Sequence, residues 1–164
     1  MRCDAKTFAQ MYEQIYTDLY RFALCLMKDS HEAEDVVSEA VISAYENIHR
    51  LRKKEAFKSW IFTILSNICK KRLKKASREN TYLENMNSEK EIYEKTRMEE
   101  SDYGLALDVR NAFFILSEEE QLIVGLSVFG GYNSSEIADM LKLNANTVRS
   151  KRSRALSKME CILK

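Results

Sequence analysis

The residues of this chain best equipped for chemistry are hydrogen-bond donors. Asn146, Thr147, Arg149, Ser150, Lys151, Ser153 and Arg154 crowd into two or three turns of one predicted helix. An arginine can donate two parallel hydrogen bonds to a guanine edge, while lysine, serine and threonine can hold phosphate oxygens. The set therefore has the chemistry of a helix lying in a DNA major groove. Val148, Ala155, Leu156, Met159 and Leu163 recur at helical spacing and are expected to turn inward. The preceding residues supply the other half of a helix-turn-helix. Asn133 followed by Glu136 reads as a capping box for a helix over 134–141, with Ile137, Met140 and Leu141 on one face and Ala138 keeping it slim. Asn144 then caps the second helix. A run of cations alone has a blander reading, as a solvated face or a membrane- or calmodulin-seeking surface. The short capped helix in front of it, and the lack of a bulky apolar stripe, favour DNA.

A second basic cluster lies in the middle of the chain. Arg52, Lys53 and Lys54 stand in the link HRLRKKEA, and a helix over 57–75 starts apolar and ends KKRLKK. Phe57, Trp60, Ile61, Ile64, Leu65, Ile68 and Leu73 form its expected core face, while Lys58, Asn67, Lys70, Lys71, Arg72, Lys74 and Lys75 can point outward. Trp60 reads as a core residue first and a base-stacking residue second. The formal net charge of +1 conceals segregation: −4 over residues 1–50, +8 over 51–79, −5 over 80–108, −4 over 109–141 and +6 over 142–164. Two separated basic blocks imply two contacts with a polyanion, each releasing counterions. The acidic blocks need another explanation. Glu32, Glu34, Asp35 and Glu39 sit in the first turns of a predicted helix, where the macrodipole alone accounts for them or where a basic partner could dock.

Other chemistries find little support. Cys3, Cys25, Cys69 and Cys161 show no CxxC spacing, and His31 and His49 are isolated, so no zinc site or redox motif is expected and the thiols should be reduced. No glycine-rich phosphate loop and no nucleophile with a plausible base appear, so neither an enzyme nor a cofactor is expected. Without a signal sequence or an apolar run near twenty residues, the expected location is cytoplasmic, with no membrane insertion.

The elements that must position these residues are helices. No proline, four glycines and long amphipathic stretches predict an all-α fold. A helix over 4–28 should bury Phe8, Met11, Tyr12, Ile15, Leu19, Phe22 and Leu26. One over 31–49 should bury Ala33, Val36, Val37, Ala40, Val41, Ala44, Tyr45 and Ile48. Residues 80–104 are polar and acidic and read as a flexible linker. The expected organisation is a three-helix bundle over 1–79, the linker over 80–104, and a second small helical domain over 105–164. In the latter, Ser117 with Glu120 makes another capping box and Gly130-Gly131 breaks the chain before the helix-turn-helix.

In this order the segments HEAEDVVSEAVISAYENI, FKSWIFTILSNICKKRLKK and LSEEEQLIVGLSVFGGYNSSEIADMLKLNANTVRSKRSRAL resemble regions 2.2, 2.3–2.4 and 4 of the extracytoplasmic-function sigma factors of bacteria. The resemblance spans nearly the whole chain. It implies a non-catalytic subunit that binds core RNA polymerase, directs it to promoters with −35 and −10 elements and helps open the DNA. By position, Asp35, Ser38, Glu39 and Ile42 match the surface that meets the β′ clamp helices, and region 4 implies a contact with the β flap. Asn67 matches a position beside the pocket for an extruded −10 base. The loop carrying Arg52, Lys53 and Lys54 matches the segment that reads it, with Lys70, Lys71 and Lys74 beside the backbone. Arg149, Ser150, Ser153 and Arg154 match positions facing the −35 element, with Thr147 and Lys151 on phosphates. An anti-sigma factor is the further partner implied. The chain departs from the family pattern at Ser117, where proline is usual after leucine, at Asn146 in place of a common glycine, at Ser153 in place of a larger residue, and at Ser38 in place of a frequent glutamine. The rival reading is a stand-alone helix-turn-helix regulator that binds DNA without polymerase.

Overall fold

The computed structural model of the chain describes residues 4–83 and 107–163. All regular structure among the described residues is helical. Helix α1, Ala5–Met27, starts where the Asp4 carboxylate accepts the Thr7 N–H at 2.8 Å and ends where Lys28 turns left-handed at φ 65°. Helix α2, Ser30–Glu46, begins under the Asp29 cap and gives way to a 3-10 turn at Ile48–Arg50. The chain is then tied down by Leu51, which is buried, and a second 3-10 turn at Lys54–Ala56 delivers helix α3, Phe57–Leu83. These three helices pack pairwise as a bundle around Phe8, Leu19, Leu26, Val36, Ala40, Ile61 and Leu65.

The second group comprises α4 (Leu107–Phe114), α5 (Glu118–Val128), α6 (Ser134–Leu141) and α7 (Ala145–Leu163). The Ser117 capping box starts α5: the Ser117 N–H donates to Glu120 at 3.0 Å and the Glu120 N–H to the Ser117 hydroxyl at 3.2 Å. Helix α7 lies against α4, α5 and α6. The two groups also touch each other. Phe22 of α1 presses against Gly125 of α5, and the rings of Phe62 and Tyr132 meet edge to face with centroids 5.8 Å apart. Lys58 donates from Nζ to the Gly130 carbonyl at 3.0 Å.

Several expectations need correction. Helix α3 runs eight residues beyond the expected Lys75, to Leu83, because no helix breaker intervenes in ASRENTYL. Tyr45 is not a core residue but 46% exposed, its ring resting edge-on against Phe8 at 5.2 Å. Leu156 and Leu163 are exposed rather than inward, since the inward side of α7 is carried by Val148 and Ala155, with Met159 partly covered. Conversely Tyr20, Leu24, Met27 and Phe62 are buried outside the expected stripes. Helices α1 and α3 are covered on a second side by the α4–α7 group. Trp60 is half-buried at the edge of the core. Cys3 and the expected linker beyond residue 83 lie outside the described residues.

Candidate nucleic-acid interface

The helix-turn-helix is built by local hydrogen bonds that the sequence dictates. The Asn133 side chain accepts the Glu136 N–H at 2.9 Å, and the Glu136 carboxylate accepts the Asn133 N–H at 3.0 Å, starting α6. Lys142 ends it in the left-handed region at φ 59°, and the Leu143 N–H returns to the Ala138 carbonyl at 2.9 Å. The Asn144 side chain then accepts the Asn146 N–H at 2.8 Å at the start of α7. Ile137, Ala138, Met140 and Leu141 are buried on α6, as are Val148 and Ala155 on α7, which holds the second helix on the first.

At 100° per residue, Val148 and Ala155 point one way and Asn146, Arg149, Ser150, Ser153 and Arg154 point the opposite way. All five are exposed, as is Thr147 on the flank. The Arg149 guanidinium donates from Nη1 to the Asn146 side-chain oxygen at 2.8 Å, and Arg154 donates from Nε to the Ser150 carbonyl at 3.4 Å. Lys151 stands apart. It is half-buried on the flank and paired with Glu119 of α5, while Lys158, two helical turns further along that flank, donates to Glu120 at 3.1 Å. Burial pushes the Glu120 carboxyl upward, but hydrogen bonds from the Ser117 N–H and the Lys158 ammonium outweigh it and hold the group below the ordinary carboxylate value.

The other basic surface is on α3 and the loop before it. Asn67, Lys70, Lys71 and Lys74 follow the i, i+3, i+4, i+7 spacing of one helix face, with Lys70 half-buried and the others exposed. Half-buried Trp60 and Thr63 continue that face toward the start of α3. Arg52, Lys53 and Lys54 are exposed in the preceding loop. Thus Asn67, Lys70, Lys71 and Lys74 share one face of α3, and Asn146, Arg149, Ser150, Ser153 and Arg154 one side of α7, whereas Lys151 is drawn to the flank by Glu119.

A third surface lies on α2. Asp35, Ser38, Glu39 and Ile42 share a face and are all exposed, with Ile42 59% accessible. Tyr45, one turn beyond Ile42, extends it. Sequence reasoning placed Tyr45 in the core, although its i+3 spacing from Ile42 was the available signal. Glu39 is tied to Arg72 of α3 at 3.3 Å, linking the acidic face to the basic helix beside it. An exposed isoleucine and tyrosine among carboxylates form an apolar anchor with an acidic rim, which suits a protein partner with basic residues around an apolar centre.

No group of three or more potential metal ligands occurs among the described residues. The Cys25 and Cys69 thiols are pushed up to about 12 by burial, whereas Cys161 is exposed. No described helix is long and apolar enough to cross a membrane.

Comparison with known proteins gives the same picture along the whole chain. Residues 11–79 match the family model for sigma-70 region 2, and residues 108–159 match that for sigma-70 region 4. The chain is 27% identical over 161 residues to the ECF RNA polymerase sigma factor SigM of Mycobacterium tuberculosis, covering 98% of this chain and 79% of that one. It is 28% identical over 142 residues to the RNA polymerase sigma factor SigV of Bacillus subtilis, covering 87% and 82%. In fold it is similar to the sigma factor RpoE of Bartonella quintana solved in complex with the anti-sigma factor NepR, with a TM-score of 0.76, 22% identity and coverage of 97% and 98%. It is also similar to CnrH in complex with the cytosolic domain of CnrY, with a TM-score of 0.67, 17% identity and coverage of 98% and 89%.

Proposed function

Because the chain belongs to the extracytoplasmic-function group of the sigma-70 family of RNA polymerase sigma factors, we propose that it binds core RNA polymerase in the bacterial cytoplasm and directs it to two-part promoters. In this reading residues 1–79 carry region 2, residues 80–104 a linker and residues 105–164 region 4. The observation that carries the reading is the pair of basic faces on separate helix groups, each with its hydrogen-bonding residues on one side. On α7, Asn146, Arg149, Ser150, Ser153 and Arg154 meet the −35 element, with Thr147 at the backbone, while Lys151 is engaged by Glu119. On the first group, Arg52, Lys53, Lys54 and Asn67 meet the −10 element, and Lys70, Lys71 and Lys74 hold the adjoining phosphates. Unstacking a base there costs a few kcal/mol, which such backbone contacts can offset.

The acidic face of α2 is the complementary part. Asp35, Ser38, Glu39 and Ile42, joined by Tyr45, dock on the β′ clamp helices, and region 4 meets the β flap. The subunit itself supplies binding and positioning rather than catalysis. An anti-sigma protein is the further partner, competing for these same surfaces.

The test is multi-round transcription with purified core polymerase, this chain and a library of bacterial upstream DNA, with the 5′ ends of the products sequenced. Discrete starts that share two upstream elements support the reading. Uniform background starts, together with no co-elution of the chain with core enzyme, overturn it in favour of a stand-alone regulator.

A further inference from the structure

Four cations of α7 have partners that divide by charge. Lys151 and Lys158, on the flank, meet the carboxylates of Glu119 and Glu120. Among the described residues, the two arginines of the outward face meet neutral acceptors: Arg149 donates to the Asn146 side chain at 2.8 Å and Arg154 to the Ser150 carbonyl at 3.4 Å. A carboxylate partner would cancel the charge that a polyanion must meet. A neutral oxygen leaves the charge in place and still restricts the long side chain.

From this geometry we propose that Asn146 is a positioning residue for promoter specificity, which holds the Arg149 guanidinium in the orientation that reads one guanine of the −35 element. The inference rests on the promoter-binding function proposed above. A guanidinium offers donors only, so the amide oxygen of Asn146 must be the atom that faces it. The bond takes one hydrogen of Nη1 and leaves the Nε and Nη2 edge free, which is the fork that pairs with guanine O6 and N7. Asn146 is itself held at the start of the helix, because its backbone N–H donates to the Asn144 side chain at 2.8 Å. The positioner is therefore anchored to the turn, and its target lies one helical turn on, among the N-terminal residues of the helix that reach base edges. An arginine left free would have to be ordered on binding, and ordering it beforehand raises the advantage of the correct base. With its oxygen engaged, Asn146 presents chiefly its NH2 group outward. It is then less suited to the donor-and-acceptor pairing with adenine that an unengaged asparagine makes.

The test is selection of bound DNA from a library randomised across the −35 element, using the full chain bound to core polymerase. Wild type is compared with Asn146→Ala, Asn146→Asp and Arg149→Ala, and thermal melting checks that each variant is folded. Wild type is expected to prefer guanine at one position. Arg149→Ala and Asn146→Ala should both reduce that preference, at that same position, by roughly fivefold or more. The double variant should lose little more than either single one. Asn146→Asp keeps an acceptor but adds a negative charge, so it should keep the preference while lowering affinity for all sequences. The proposal is overturned if Asn146→Ala changes a different position from Arg149→Ala, or lowers affinity uniformly without changing preference. A wild-type complex with no base preference anywhere in the element overturns the promoter reading as well.

Discussion

At the scale of single residues, the structure separates side chains that are available from side chains that are engaged. Arg154 is exposed and donates weakly, at 3.4 Å, to a neutral carbonyl, so it is free to exchange that contact for a base edge. Arg154→Ala should weaken −35-dependent promoter binding by roughly 1–3 kcal/mol while leaving association with core polymerase intact. Equal transcription by the variant from a −35-dependent promoter would remove the assignment. The cysteines divide in a similar way. Burial pushes the Cys25 and Cys69 thiols up to about 12, so they stay neutral across the physiological range; Cys69 is fully covered as well, Cys25 partly. Cys161 is exposed near the end of α7. Alkylation with iodoacetamide at about pH 8, followed by peptide mass spectrometry, should label Cys161 quickly, Cys25 slowly, and leave Cys69 unlabelled until the protein unfolds.

At the scale of elements, two contacts decide how α5 sits. One is the buried Glu120, which binds both the start of its own helix and Lys158 of α7. Its carboxyl titrates below its ordinary value of 4.5 when folded, so its contribution to stability is fully present above that value. That contribution is lost as pH falls through the lower, folded value. Glu120→Gln should lower the melting temperature at neutral pH and flatten its decline as pH falls below 4.5, as followed by circular dichroism. The other contact is Gly125. A Cβ there would lie 2.8 Å from the Phe22 ring, which is fully buried and has no room to retreat. Gly125→Ala should therefore destabilise the protein by about 1–3 kcal/mol. Combining it with Phe22→Leu should cost less than the sum of the two single changes, measured by denaturant unfolding.

At the scale of the whole molecule, the two helix groups that carry the basic faces are packed against each other through Phe22, Phe62, Lys58 and Tyr132. Promoter elements centred about 25 base pairs apart lie roughly 85 Å apart on B-DNA. A compact chain of 164 residues has a radius of gyration of only about 15 Å. Both elements cannot be reached with this seam closed. A fluorophore pair placed across it should show high energy transfer in the free protein and lose it when core polymerase and promoter DNA are added. Unchanged transfer in the open promoter complex would show that the seam stays closed. The seam joins the buried rings of Phe22 and Phe62 with a polar contact from Lys58 to a backbone carbonyl, so parting it exposes apolar surface that a partner must cover.

The sequence by itself determined that the elements are helices and which of their faces carry the charge. Helical periodicity, capping boxes at Ser117 and Asn133, and the charge pattern are local signals, and they need no knowledge of what lies across the core. Asn146, Arg149, Ser150, Ser153 and Arg154 could be placed on one face from spacing alone. Tertiary structure decided what local spacing cannot carry. It turned Tyr45 and Leu156 outward, buried Phe22 and Phe62 against the second helix group, and gave Lys151 and Lys158 to glutamates of α5. Each of these depends on a partner far away in sequence, and a residue's burial or pairing is a property of both sides of the contact.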